Sequence, residues 1–374
     1  MKLALLGTRG VPASYSGFET AVEAIGARLA ARGHDVTVYC RPHVVATHYR
    51  SYRGMKLVHL PTIATKHLDT FVHTLLSTVH MACAVHPDAA LYFIVGNAPS
   101  AAHSRLLGIP TILNVDGLDS ERAKWSGPAK SYLRWAQRNA RRCAHRLVTD
   151  SEAVQRIYRE RYGTVTEFIP YGADMAGPDS GRHLERFGLR RRGYILFVGR
   201  LVPENNAHVL LAAFTGLKTD LQLVVVGDAP YEARYQDGLR AAFGDDPRIV
   251  FTGYLFDEGY RELARNAEIF VVPSEVGGSH PVLLEAICAG NCVVVNDHEP
   301  NLEVLGGAGV SYPGAEGAAG LRRVLQGLVD HPQRIVELRA AALERARSLH
   351  SWDVVTDAYE RLARVVIEER RPRA

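Results

Sequence analysis

The chain has 374 residues, enough for two domains of ordinary size. With 47% hydrophobic and 22% charged residues it is composed like a globular protein, and no apolar run approaches the roughly 20 residues of a membrane span. Net charge is +4 but unevenly placed: residues 1–175 carry 21 Lys and Arg against 13 Asp and Glu, the remainder 23 against 27. The basic first half is the one suited to an anionic partner. Five cysteines, odd in number and without a C-x-x-C, together with an opening Met1–Gly7 too short for a leader, predict a reduced, cytoplasmic protein.

Leu3–Leu6 reads as a first strand, followed by the loop Gly7–Ser16. Ser16-Gly17-Phe18-Glu19 reads as a capping box opening a helix to Arg32, and Asp35–Cys40 as strand two. The glycines at 7, 10 and 17 are not G-x-G-x-x-G, and Arg41 stands where an acidic residue would end strand two, so a nicotinamide enzyme is disfavoured. Gly10 would let this loop approach a ligand and Arg9 could touch phosphate; each also reads as an ordinary turn glycine and a surface arginine. Further strands are predicted at Leu57–Leu60, Leu91–Val95, Thr111–Asn114, Arg146–Thr149 and Thr166–Ile169. Asp116, just past a strand, reads either as a partner or base for an acceptor hydroxyl or as a loop cap. Residues 128–147 read as a helix with Lys130, Arg134, Arg138, Arg141 and Arg142 on one stripe and Leu133, Ala136, Ala140, Cys143 and Leu147 on the other. That face suits an anionic membrane surface; no nucleic-acid-binding motif accompanies it.

Gly172–Arg192 is loop-rich and then charged, and is read as the hinge. A second α/β run follows, with strands at Tyr194–Val198, Gln222–Val226, Ile249–Phe251, Ile269–Val272 and Val293–Val295. Long helical patterns close the chain over 315–349, interrupted near Pro332, and over 352–369. The stretch 271–286 reads as strand, loop and helix: Pro273 stops the strand, Gly277-Gly278 permits close backbone approach, and Ser279 and Pro281 open the helix. A helix start of this kind suits a phosphate, and Glu285 could accept from sugar hydroxyls. Two open α/β domains carry ligand sites at the carboxyl ends of their strands, so an interdomain cleft is expected.

In this order the motifs resemble the retaining nucleotide-sugar glycosyltransferases of the group-one type, which have the GT-B fold of two Rossmann-like domains facing across a cleft. The resemblance rests on Ile169-Pro170-Tyr171-Gly172-Ala173-Asp174, Phe197-Val198-Gly199-Arg200-Leu201 with Val202-Pro203-Glu204, Val225-Val226-Gly227-Asp228, Phe251-Thr252-Gly253 and Leu283-Leu284-Glu285-Ala286. Narrower likeness, in Gly7–Pro12, Tyr15–Thr20, Val115–Leu118, Arg122–Trp125 and Arg200–Asn206, is to bacterial transferases for surface polysaccharide, including rhamnosyltransferases that extend a lipid-linked saccharide from dTDP-rhamnose. The resemblance implies an acceptor-side domain over 1–175, a nucleotide-sugar domain over 190–350, and a C-terminal helix within 352–374 packed back on the first. It implies donor contacts from Arg9, Gly10, Gly199, Arg200, Asn205, Gly227, Gly278, Ser279 and Glu285, with Asp116, Arg200 and His280 at the chemistry. The nucleotide sugar is then a substrate, with no cofactor, and with no D-x-D motif no metal is expected. The implied partner is a lipid-linked saccharide, and the implied location the inner face of the cell membrane. The chain departs from the pattern at Gly277, where the first Glu of the family's E-x7-E motif would stand, at Asn205, where a phosphate-binding lysine would stand, and at Asp116, where a histidine is often found. These departures keep open a GDP-mannose or UDP-hexose donor and a non-catalytic donor-binding partner subunit. A sugar-nucleotide epimerase of the same fold is disfavoured by the V-G-R-L run.

Overall fold

The computed structural model describes residues 1–13, 17–65, 68–115, 117–121, 127–175, 177–228, 233–275 and 281–370. The chain divides into two compact units, Met1–Gly172 with Trp352–Ala374, and Ala173–Ser351. In the first, β1 (Lys2–Leu6), β2 (Asp35–Cys40), β3 (Ser51–Tyr52), β4 (Met55–His59), β5 (Ala89–Phe93), β6 (Thr111–Asn114), β7 (Arg146–Thr149) and β8 (Glu167–Phe168) form one sheet in the order β3-β4-β2-β1-β5-β6-β7-β8. Pairing is parallel except between β3 and β4. The expected strand at Leu57–Leu60 is β4; the two-residue β3, not foreseen from sequence, joins it through a turn at Arg53 (φ 46°) and Gly54 (φ 81°), the left-handed pair that a two-residue hairpin needs.

One face of this sheet is covered by the helices Gly17–Ala31 and Trp352–Glu368. The second buries Val355, Tyr359, Leu362 and Val366 at helical spacing, and Asn114 donates to the Tyr359 hydroxyl at 2.7 Å. Arg28–Asp353 (2.9 Å), Arg32–Asp357 (2.7 Å) and Arg32–Glu360 (2.9 Å) pin the two helices together at the rim. Hydrogen bonds from Arg364, then Arg32 and His34, hold the Glu360 carboxyl down at about 2. The other face carries the helices Asp69–His80, Ala98–Leu106 and Gly127–Cys143.

The last of these corrects the helix expected over 128–147. It stops at Cys143, where the Arg105 guanidinium caps it by donating to the carbonyls of Arg141 (3.0 Å), Arg142 (3.2 Å) and Ala144 (2.8 Å). Leu147 reaches the same apolar cluster from β7, while Arg134, Arg138, Arg141 and Arg142 are exposed and Lys130 is half-buried.

In the second unit β9 (Tyr194–Val198), β10 (Gln222–Val226), β11 (Ile249–Gly253), β12 (Ile269–Val272), β13 (Cys292–Asn296) and β14 (Val310–Tyr312) form an all-parallel sheet, order β11-β10-β9-β12-β13-β14. The stretch read as a hinge belongs to this unit. Its short helix Arg182–Arg186 is capped by the fully buried Glu262, which accepts from the amides of His183 (3.0 Å) and Leu184 (3.3 Å) and from the Ser180 hydroxyl (3.0 Å). Asn266 donates to Asp179 (3.1 Å), and Arg265 to the Met175 carbonyl (2.9 Å). The unit therefore begins near residue 173, not 190, because these polar residues are spent on the helix Asp257–Asn266.

Candidate donor site

Open parallel sheets present their ligand sites at the carboxyl ends of the strands, where the loops diverge. In the second unit those ends are tied together by amides. After β9, Gly199 donates its N–H to Val226 at 3.0 Å; after β10, Gly227 donates to Gly253 at 3.0 Å. A Cβ on Gly227 (φ 147°) would lie 1.8 Å from the Gly199 carbonyl oxygen, so this crossing of loops admits only glycine. After β12, the Pro273 carbonyl accepts from Asn206 (3.2 Å) and Asn296 (3.0 Å), and the Ser274 carbonyl from Asn301 (2.9 Å). Asn301 also donates to Asn296 Oδ1 at 2.8 Å, so buried amides bridge the loops after β9, β12 and β13.

Asn205 is one of these ties. Its Nδ2 donates to the Arg200 carbonyl at 2.8 Å and its Oδ1 accepts from the Ser274 hydroxyl at 3.3 Å. The amide thus positions the loop bearing Arg200 instead of replacing the missing lysine charge. Arg200 itself is exposed, and among the described residues its guanidinium has no ion-pair partner. An exposed planar fork on an amide-braced loop has the geometry to receive phosphate.

Glu285 lies one turn into the helix Pro281–Cys288 and is half-buried. Tyr260 donates its hydroxyl to Glu285 Oε2 at 2.6 Å. Burial raises the Glu285 carboxyl above its ordinary range, offset in part by the Tyr260 hydrogen bond and by Arg261. One carboxylate oxygen is fixed by the phenol, and the other is oriented by it. Sequence reading missed Tyr260, which stands on a different helix with no spacing to betray it. It also missed Asn206, Asn296 and Asn301. Of these only Asn296, a polar residue closing the apolar run Val293–Val295, carried a signal.

The glycine loop of the first unit is built otherwise. A Cβ on Gly10 (φ 107°) would meet Cys40 Sγ at 2.6 Å and Cys40 Cα at 2.8 Å, so packing against β2 accounts for this glycine. Glu19 accepts from the Arg9 amide at 3.1 Å, Glu23 from the Ala13 amide at 2.7 Å, and Thr8 Oγ1 from the Gly10 amide at 3.3 Å. Glu19 thus reaches back to the loop; Ser16, which opens the expected capping box, lies outside the described residues. Asp116, Gly278, Ser279 and His280 also lie outside them, as does Gly277. A cavity of about 720 Å³ lined by Arg190–Gly193, Lys218–Leu221 and Glu268 opens at the amino ends of the second unit's strands, the wrong edge for a donor.

Residues 192–330 match the family of glycosyl transferases group 1, and residues 1–174 match a domain of unknown function, DUF1972. Over residues 192–330, then, the chain is similar to the group 1 glycosyl transferases. The sucrose-phosphate synthase of Thermosynechococcus elongatus superposes on this chain with a TM-score of 0.77 at 18% identity, covering 98% of this chain and 99% of that one. Anabaena HepE in complex with UDP superposes with a TM-score of 0.76 at 16% identity, over 98% and 100%. The fold is therefore the GT-B fold. In sequence, the phosphatidyl-myo-inositol mannosyltransferase of Mycolicibacterium smegmatis is 31% identical over 215 residues, 55% of this chain and 53% of that protein. The GDP-mannose-dependent alpha-mannosyltransferase of Corynebacterium glutamicum is 25% identical over 307 residues, 78% and 71%. The chain spans about half the length of most of the curated relatives it matches. The two relatives named here are mannosyltransferases, so the narrower rhamnosyltransferase likeness has no counterpart in either.

Proposed function

We propose that this protein is a retaining, metal-independent glycosyltransferase that moves a sugar from a nucleoside diphosphate donor to a lipid-linked saccharide in bacterial surface polysaccharide synthesis. The observation that carries the reading is the Arg200 guanidinium, exposed and without an ion-pair partner among the described residues, at the carboxyl edge of the second sheet on a loop braced by carboxamides. As the sugar–phosphate bond breaks, negative charge grows on the leaving oxygen, and Arg200 with the amides of Gly278 and Ser279 meets it. Glu285, oriented by Tyr260, accepts from the ribose hydroxyls. The acceptor oxygen attacks from the face the diphosphate is leaving, and its proton passes to the departing phosphate, so anomeric configuration is kept without a protein nucleophile. Asp116 serves the acceptor hydroxyl and His280 the donor sugar. The first unit is the acceptor side, and the arginines of helix Gly127–Cys143 hold it to the anionic inner face of the cell membrane.

The donor we favour is dTDP-rhamnose, supported by the motif likeness in Gly7–Pro12 and Arg200–Asn206. GDP-mannose is the second reading, supported by the mannosyltransferase relatives. A thermal-shift panel of dTDP, UDP, GDP, ADP and their sugars, with and without divalent metal, tests both, since a ligand held by the native state alone raises the midpoint. A metal-independent shift selective for dTDP and dTDP-rhamnose supports the first. A GDP-selective shift replaces rhamnose with mannose. No shift with any nucleotide overturns the donor site, and binding without donor hydrolysis or transfer makes the protein a donor-binding subunit.

A further inference from the structure

A surface helix of a water-soluble domain buries its apolar stripe and shows its polar side to water. The helix Asp69–His80 does the reverse. His73, Thr74, Ser77 and Thr78 point inward and are at most 1% exposed. Their hydroxyls are satisfied inside the protein: Thr74, Ser77 and Thr78 donate to the carbonyls four residues back at 2.7–2.8 Å, and Thr78 and Ser104 bracket the Tyr92 hydroxyl at 2.8 and 2.6 Å; His73 Nε2 lies 3.1 Å from the Cys40 carbonyl, while its Nδ1 is buried without a partner among the described residues. Asp69, the helix's one acidic residue, is taken by buried Arg41 at 2.6 Å. The outward stripe is Leu68, Phe71, Val72, Leu75, Leu76 and Val79, an uninterrupted apolar run at helical spacing. Leu68 is 44% exposed, Phe71 38%, Leu76 39% and Val79 54%. Scattered exposed leucines need no explanation, but a whole helix face does.

The neighbourhood says what covers it. The helix Ala98–Leu106 packs against this helix on one side and against Gly127–Cys143 on the other. It ends in Leu106 and Leu107, 84% and 62% exposed. Gly127–Cys143 contains no acidic residue, and it exposes Arg134, Arg138, Arg141 and Arg142 together with Trp135, which is 48% exposed. An apolar stripe flanked by cations of one sign, with an indole among them, is complementary to an anionic leaflet. A second copy of the chain suits it less well, because a twofold contact through this stripe sets arginine-rich helix near arginine-rich helix.

We propose that helix Asp69–His80 is a bilayer-inserting surface: its outer face sinks into the boundary between headgroups and acyl chains while the neighbouring arginines rest on the phosphates. This deepens, and rests on, the reading of the protein as an enzyme of lipid-linked acceptors. Insertion would hold the first unit at the depth where a lipid-linked saccharide leaves the membrane.

The test is flotation of the full chain with phosphatidylglycerol–phosphatidylcholine vesicles, comparing the protein with a Phe71→Ser, Leu76→Ser, Val79→Ser variant and an Arg134→Glu, Arg138→Glu variant. The changed side chains face outward, so the thermal midpoint and the nucleotide shift without vesicles stay as they are; that shift reads the donor site independently of the membrane. The serine variant should bind vesicles roughly tenfold more weakly or worse, and the wild-type binding that survives high salt should vanish with it. Vesicle binding unaltered by the serine changes but abolished by the glutamates overturns insertion and leaves electrostatic docking alone. A concentration-dependent dimer that the serine changes dissolve overturns it in favour of a self-interface. No vesicle binding by the wild-type protein overturns both, whatever the nucleotide shift reports.

Discussion

The two sheets brace the loops at their carboxyl edges with different groups. In the first unit the loop after β1 has its amides paired to Glu19 and Glu23, and Arg41 after β2 is neutralised by Asp69. In the second, the loops are braced chiefly by Asn205, Asn206, Asn296 and Asn301, with Asp297 accepting from the Gly314 amide at 2.9 Å farther along the edge, and among the described residues Arg200 has no ion-pair partner. Carboxylates hold a loop as firmly as carboxamides do, but they cancel positive potential where an anion would sit. The contrast teaches that the bracing residues, more than the glycines, set how much positive potential a strand-end loop keeps.

The comparison breaks most visibly at Gly227. A Gly227→Ala change should destabilise the second unit by about 3 kcal/mol or more, because the new Cβ meets the Gly199 carbonyl and the backbone is left-handed; denaturant unfolding measures it. Gly10→Ala should be comparably harmful through Cys40, which separates packing from ligand contact as the reason for each glycine. Arg200→Ala should leave stability alone and weaken nucleoside diphosphate binding about 10- to 100-fold, the worth of a charge-assisted hydrogen bond, by calorimetry.

Glu285→Gln should weaken binding about tenfold and yet leave the thermal midpoint equal or higher at neutral pH. The sign follows from its raised carboxyl. A folded state that holds the proton more tightly than the unfolded chain gains stability below the ordinary carboxylate range and loses it as pH rises through the raised value. A midpoint that falls in Gln at neutral pH contradicts this. The smallest effect sharpens the contrast itself. Asn205→Asp puts a carboxylate in the loop that carries Arg200, like those that brace the loop after β1, and should weaken diphosphate binding about fivefold, less at high salt. Unchanged affinity at low salt would remove the electrostatic distinction.

The frame of the molecule could be read ahead because parallel strands buried on both faces are continuous apolar runs. Thr111–Asn114, Tyr194–Val198, Gln222–Val226 and Ile269–Val272 stand where those runs stand. Ser51–Tyr52 and Val310–Tyr312 are too short to show a period, and the polar stretch before Arg192 gave no hint that Glu262 and Asn266 would gather it in. At the site, Arg200 and Glu285 could be named from motifs. Tyr260 and the asparagines act through distances that only folding creates. The helix Asp69–His80 shows a different limit: its period is plain in the sequence, but periodicity does not say which face turns inward.

The chain leaves the first unit at Gly172 and re-enters it at Trp352. A ribosome adding about 5–20 residues per second takes about 10–35 s to make the segment between. Through that interval the seat for Tyr359 and Leu362 stands open beside Phe93 and Asn114, while the second unit already has all of its strands. Synthesis therefore finishes the later unit first, and the earlier one closes only when its last helix emerges. The nascent first unit is the part of this protein that a chaperone would find waiting.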